Sequence, residues 1–134
     1  MAATDSSIKY EGRLPPAEVL NRMARARYLL FTSTWYEGMP RTIVESLSVG
    51  TPVICPRLGA MKSMVTHGVT GFMFAPNDTS DLESVLAKAS SVDASWESMS
   101  LEATKVYERF YGPEQNRAQL EKHYTDCIDP KKQP

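Results

Sequence analysis

Two glutamates, a glycine and a proline within one short stretch carry most of the chemistry this sequence offers: Glu37, Gly38, Pro40 and Glu45, with Met39, Arg41 and Thr42 between them. The stretch follows a compact apolar run, Tyr28-Leu29-Leu30-Phe31, and leads into Ile43, Val44 and Leu47 at helical spacing. Pro40 suits the first helical position, so the amides of Arg41 and Thr42 lack intrahelical partners. Such amides, with the helix dipole behind them, hold a phosphate oxygen well. Gly38 lets the backbone approach a ligand with no side chain in the way. At about 100° per residue, Glu45 falls nearly opposite the apolar stripe and one turn beyond Arg41, while Glu37 precedes the helix. Carboxylates accept hydrogen bonds from paired hydroxyls, which suits ribose and hexose diols. Diphosphate between two polyols is a nucleotide sugar. The same residues also fit a plain surface helix, with Glu45 solvated and paired to Arg41 at i,i+4.

These residues need a scaffold, and the pattern supplies an α/β one. Ile8-Lys9-Tyr10-Glu11 alternates as a half-buried strand would, and Gly12 ends it. Pro15-Pro16 opens a helix with Val19, Leu20 and Met23 on one side. The run at 28–32 reads as a strand buried on both faces, and the next helix stops at Gly50. Pro52-Val53-Ile54-Cys55-Pro56 and Gly71-Phe72-Met73-Phe74 are two more strands, with a short Met61, Met64, Val65 helix between them. Ser80-Asp81-Leu82-Glu83 reads as a capping box ahead of Val85, Leu86 and Ala89. From 93 onward the pattern is helical: Trp96, Met99, Ala103, Val106, Tyr107 and Phe110 form one stripe, Gly112-Pro113 breaks it, and a last helix carries Leu120 and Tyr124. Four strands alternating with helices imply a parallel sheet covered on both faces. Ligands bind such sheets at the carboxyl edge, which singles out the loops at 12–15, 33–40 and 56–60.

Composition bounds the partners. With 134 residues the chain suits one small domain, and a formal net charge of -1 with scattered cations excludes a basic face for nucleic acid. Cys55 and Cys127 form no CxxC and read as free thiols, with no zinc site expected. No unbroken apolar run is longer than that at 28–31, so no transmembrane segment is expected, and the polar start lacks a secretory h-region. The expected location is cytoplasmic. His67 reads as a cation at a helix end, His123 as solvated, and the methionines as core. Trp35-Tyr36 fits either a sugar contact or packing on its own domain.

Several motifs in order resemble the retaining glycosyltransferases of family GT4. The Glu37/Glu45 spacing, then Ser46-Leu47-Ser48-Val49-Gly50-Thr51-Pro52-Val53-Ile54, is similar to that family's EG(F/M)P…EA(M/F)A.GTPVI signature. The similarity continues through Leu58-Gly59-Ala60-Met61, His67-Gly68-Val69-Thr70-Gly71-Phe72-Met73-Phe74 and Pro76-Asn77-Asp78. Upstream, Tyr10-Glu11-Gly12-Arg13-Leu14 resembles the family strand bordering the nucleobase. The resemblance implies a Rossmann-like three-layer αβα fold with a parallel sheet, the back part of a GT-B C-terminal domain, ending in two helices. Its expected parts are a flexible leader at 1–7, a partial donor-binding domain at 8–92, C-terminal helices at 93–128 and a tail at 129–134.

By the same resemblance Glu37 contacts donor-sugar hydroxyls as the catalytic-site acid and Glu45 binds the ribose. The amides of Gly38, Met39, Arg41 and Thr42 approach the distal phosphate, and Gly12, Arg13 and Leu14 line the base. The implied reaction moves a sugar from a UDP-, GDP- or ADP-linked donor to an acceptor hydroxyl with retention, needing neither metal nor other cofactor. The complete enzyme could sit peripherally at the inner membrane face. Departures accompany the match. Pro40 stands where many relatives have glycine, and Ser63 stands where the family's G(G/A)xxEhV motif has glutamate. The diphosphate-clamping Gly-Arg strand and the acceptor-binding half do not occur in these residues. The expectation is therefore a donor-binding part whose acceptor domain belongs to a longer chain or a partner subunit. Rival readings are a non-catalytic nucleotide-sugar-binding module and a receiver-like signalling domain, the latter disfavoured because the early strands lack an adjacent acidic pair.

Overall fold

A computed structural model describes residues 6–91 and 94–128. Most of the leader expected at 1–7, the boundary at 92/93 and the tail at 129–134 lie outside the described residues. The elements run α1 (Pro16–Arg25), β1 (Leu29–Leu30), α2 (Arg41–Ser48), β2 (Val53–Pro56), α3 (Met61–Met64), β3 (Gly71–Phe74), α4 (Thr79–Ser91), α5 (Trp96–Phe110) and α6 (Pro113–Ile128). The three strands form a parallel sheet in the order β1-β2-β3. Leu29 pairs with Val53, and Val53 in turn with Gly71.

The sheet is covered on both faces, as the alternation of strands and helices predicts. On one face Val53 and Cys55 pack with Ile43 and Leu47 of α2, Met61 and Met64 of α3, and Ala103 of α5. On the other, Ile54, Phe72 and Phe74 pack with Val85 and Ala89 of α4 and Met99 of α5. Successive residues of β2 thus enter opposite cores, which is why all four of its residues are buried. Gly71 has no alternative at its position: a Cβ there would run into the Val53 carbonyl oxygen.

Four expectations need correction. Residues 8–11 form no strand; Ile8 is 57% and Tyr10 85% exposed. Alternation alone does not make a strand without a neighbour to accept its ladder, and among the described residues none lies beside this segment. Its order comes instead from Glu11, which pairs with Lys9 at 2.8 Å and with Arg22 of α1 at 2.9 Å. The run at 28–32 yields only the two-residue β1, at a sheet edge, with Leu30 46% exposed instead of doubly buried. The helix expected to begin with Ser80 as its cap starts at Thr79. Asp78 is the residue that caps it, its Oδ1 accepting the Asp81 amide at 2.9 Å, while Asp81 Oδ2 accepts the Ala75 amide. His67 is no helix-end cation: α3 ends at Met64, and His67 Nδ1 accepts the Met73 amide at 3.0 Å while its ring packs edge-on against Phe72.

The C-terminal pair follows the Gly112-Pro113 break. α5 packs against α2, whereas α6 buries none of its residues and leaves Leu120, Tyr124 and Ile128 exposed.

Candidate functional site

The site is organised by α2. Pro40 is buried and is the N-cap, one position outside the helix it was expected to begin, at φ -67° and ψ 109°. The first amides with intrahelical partners are those of Ile43 and Val44, both donating to the Pro40 carbonyl. The Arg41 and Thr42 amides have no partner among the described residues, as expected for the first residues of a helix.

The far end of α2 is fixed equally firmly. Gly50, at φ +72°, donates to the Leu47 carbonyl at 3.1 Å and Thr51 to that of Ser46 at 2.9 Å, the paired bonds of a Schellman stop. Ser46 Oγ donates to the Thr51 carbonyl at 2.8 Å, and Thr51 Oγ1 donates to the Met23 carbonyl of α1 at 2.6 Å. These buried hydroxyls hold α1 and α2 together, and Ser100 Oγ ties α5 to the same turn through the Gly50 carbonyl at 2.6 Å. The Gly50-Thr51 pair was visible in the sequence as a helix stop; its role in holding three helices was not, because the partners are 28 and 50 residues away.

Each expected site residue can now be placed. Glu37 is half-buried in the loop before α2, and its side chain has no hydrogen bond or ion pair among the described residues. Gly38 and Met39 are exposed, and a Cβ on Gly38 would touch nothing within 4 Å. Arg41 is exposed and its Nε donates to Glu45 Oε1 at 2.7 Å. Thr42 is half-buried, and the Glu45 side chain is 27% exposed. The i,i+4 pair is therefore real. At a surface this open it contributes about 0.3–0.5 kcal/mol, little enough for a hydroxyl to replace the guanidinium on Glu45. Gly12, Arg13 and Leu14 precede α1, with Gly12 and Arg13 exposed and Leu14 half-buried. No hydrogen bond or ion pair among the described residues links them to Arg41 or Glu45.

The loop after β2 completes the edge. The Ala60 amide donates to the Glu37 carbonyl at 3.4 Å, and Gly59, at φ +52°, lies so close that a Cβ would sit 3.4 Å from that oxygen. The positive φ at Gly59 is what favours glycine there, and the contact between the two loops is one that its sequence context alone does not reveal. A cleft of about 250 Å³ lined by Met39, Val44, Phe110, Tyr111, Asn116 and Gln119 opens beside the start of α2. Elsewhere, burial pushes the Cys55 thiol up to about 12, marking it as an inert core group and not a nucleophile.

The profile of the glycosyl transferases group 1 matches residues 4–106, most of the chain and all of this edge. The chain belongs to the group 1 glycosyltransferases. It is 32% identical over 89 residues to the O-antigen chain mannosyltransferase B of Escherichia coli, covering 66% of this chain and 22% of that protein. It is 41% identical over 68 residues to the trehalose phosphorylase of Pleurotus pulmonarius, covering 49% of this chain and 9% of the relative. The fold is that of the Rossmann-like C-terminal half of GT-B proteins. The Anabaena protein Alr3699/HepE in complex with UDP and glucose superposes with a TM-score of 0.81 at 21% identity, over 90% of this chain and 32% of that one. The sucrose-phosphate synthase of Thermosynechococcus elongatus gives 0.81 at 18% identity, over 92% and 31%. This group 1 domain therefore spans less than a third of each of these proteins. Among its described residues no helix is long and apolar enough to cross a membrane.

Proposed function

We propose that this domain binds the donor of a GT4-type retaining glycosyltransferase, a nucleoside diphosphate sugar, at the tip of α2. The observation that carries the reading is the pair of unpartnered amides of Arg41 and Thr42, set between the Glu37 and Glu45 carboxylates at the carboxyl edge of a parallel sheet. The diphosphate accepts hydrogen bonds from those amides, with the helix dipole adding about 0.3–1 kcal/mol. Glu45 exchanges Arg41 for the ribose diol, and Arg41, freed, stands beside the diphosphate as a countercharge. Glu37 takes hydroxyls of the donor sugar, and Gly38 keeps the approach open. Gly12, Arg13 and Leu14 border the base.

In the reaction this arrangement serves, the acceptor oxygen bonds to the anomeric carbon. The nucleoside diphosphate departs with the electron pair of the broken C–O bond, and the proton of the acceptor hydroxyl passes to its released oxygen. Amides already aimed at the leaving group stabilise its growing charge without reorganising, so the reading calls for no metal. The acceptor is held by residues beyond this domain, on a longer chain or a partner subunit. That the Anabaena protein was solved with UDP and glucose supports the donor class. The E. coli relative, by its name a mannosyltransferase, supports sugar transfer.

Calorimetric titration with UDP, GDP and ADP, and with UDP-glucose, GDP-mannose and ADP-glucose, tests the reading. One nucleotide series is expected to bind. Glu45→Ala is expected to weaken it roughly 10- to 100-fold, the worth of a charged hydrogen-bonding partner. An unchanged affinity in Glu45→Ala removes the ribose role, and no binding in any series removes the donor site.

A further inference from the structure

The chain has two tryptophans, and they meet opposite fates. Trp96 is half-buried, its Nε1 donating to the Arg27 carbonyl at 2.7 Å. Trp35 is 76% exposed and its neighbour Tyr36 83% exposed, so most of each ring is left uncovered by its own domain. Their backbone, by contrast, is braced. The Trp35 amide donates to Ser33 Oγ at 3.3 Å, and the Ala60 amide holds the Glu37 carbonyl. One edge of the Tyr36 ring rests against Gly59, where a Cβ would lie 3.5 Å from Tyr36 Cδ1. Two large rings thus stand out from a fixed loop, immediately before a carboxylate without a partner among the described residues.

That combination selects its ligand. A ring of this size buries about 150–250 Å² when covered, so leaving two in water forgoes considerable stabilisation. An apolar protein surface could cover them, but would also bury the unpaired Glu37 carboxylate, at a cost of several kcal/mol. A pyranose avoids that penalty. Its axial C–H groups present an apolar face to an aromatic ring, and its hydroxyls donate to a carboxylate beside that ring.

We propose that Trp35 and Tyr36 form a stacking wall for a pyranose ring, with Glu37 receiving its hydroxyls. The ring is the donor's hexose or a saccharide acceptor, and the inference rests on the sugar-handling reading of Glu37 given above.

Trp35 fluorescence reports on this directly. In the full chain carrying Trp96→Phe, at the opposite edge of the sheet, Trp35 is the remaining emitter. Should that variant not fold, the difference between the unmodified chain and Trp35→Phe isolates the same signal. The probes are UDP-glucose, GDP-mannose and ADP-glucose, the three nucleotides without sugar, methyl α-glucoside, methyl α-mannoside, and sorbitol as a polyol without a ring. A blue shift is expected with at least one pyranose-bearing probe and not with sorbitol or bare nucleotide. Response to nucleotide sugars alone identifies the donor hexose, and response to methyl glycosides identifies the acceptor. Trp35→Ala and Tyr36→Ala are each expected to weaken the responding probe roughly three- to tenfold, with bare nucleotide affinity unchanged. Emission unmoved by every pyranose probe, or moved equally by sorbitol, overturns the wall whether or not nucleotides bind. A glycoside response with no nucleotide binding upholds the wall and overturns the donor site instead.

Discussion

β1 and β2 are neighbours in one sheet, and both read from sequence as strands of a sheet covered on both faces. Only β2 is fully buried. All four of its residues are buried, with a paired strand on either side and helices above and below. β1 keeps two residues, one half-buried and one exposed, and is paired on a single edge. The local sequences are equally apolar, so the difference comes from the partners and not from propensity. The comparison extends to the site. α2, attached to β2 through the Gly50-Thr51 turn, to α1 by buried hydroxyls and to α5 by the half-buried Ser100 hydroxyl, belongs to the well-covered half. The segment at 8–14, which supplies the residues proposed to border the base, belongs to the sparsely covered half. The side proposed to face the phosphate is thus held more firmly than the side proposed to face the base.

The largest expected effect that sharpens this contrast is on stability. Ile54, 2% exposed, fills the core between β2 and α4, and Ile54→Ala is expected to cost about 2–5 kcal/mol in urea unfolding, enough to abolish cooperative folding in a domain this small. Leu30→Ala, at a side chain 46% exposed, is expected to cost under about 1 kcal/mol. Equal costs would mean that β1 is as well packed as β2 and would break the comparison.

A second effect is read by pH. The ordinary Cys thiol value of 9.0 is raised to about 12 for Cys55 by burial in β2. The folded state therefore keeps its proton where the unfolded state has lost it. Stability is full below pH 9 and falls as pH rises from about 9 toward 12, by at most about 1.4 kcal/mol per pH unit. Cys55→Ala should flatten that part of the urea-midpoint profile relative to the unmodified chain, and an unchanged slope would show that the thiol ionises in place.

Much of this was legible in the residues. β2 and β3, the glycine stop of α2 and the break at Gly112-Pro113 all follow from short-range rules that tertiary structure did not override, and Pro40 marked the start of α2 to within one residue. What failed was anything requiring knowledge of a distant partner. Ile8-Lys9-Tyr10-Glu11 has the alternation of a strand but no ladder beside it. Asp78 and Ser80 are both good caps, and only the geometry of the Asp81 amide chooses between them. His67 looked like a helix-end cation until the Met73 amide claimed its Nδ1 lone pair. Within the site, Pro40, Gly38 and the two glutamates could be picked out by type and spacing. Gly59 could not, because its contact lies across a loop more than twenty residues away in sequence.

The central claim is that the α2 tip receives the diphosphate, and a crystal structure of this chain with the bound nucleotide sugar tests it most directly. The account predicts a phosphate oxygen within hydrogen-bonding distance of the Arg41 and Thr42 amides, with the ribose hydroxyls on Glu45 and its bond to Arg41 released. A diphosphate seated elsewhere, with the Arg41–Glu45 pair intact, would contradict it.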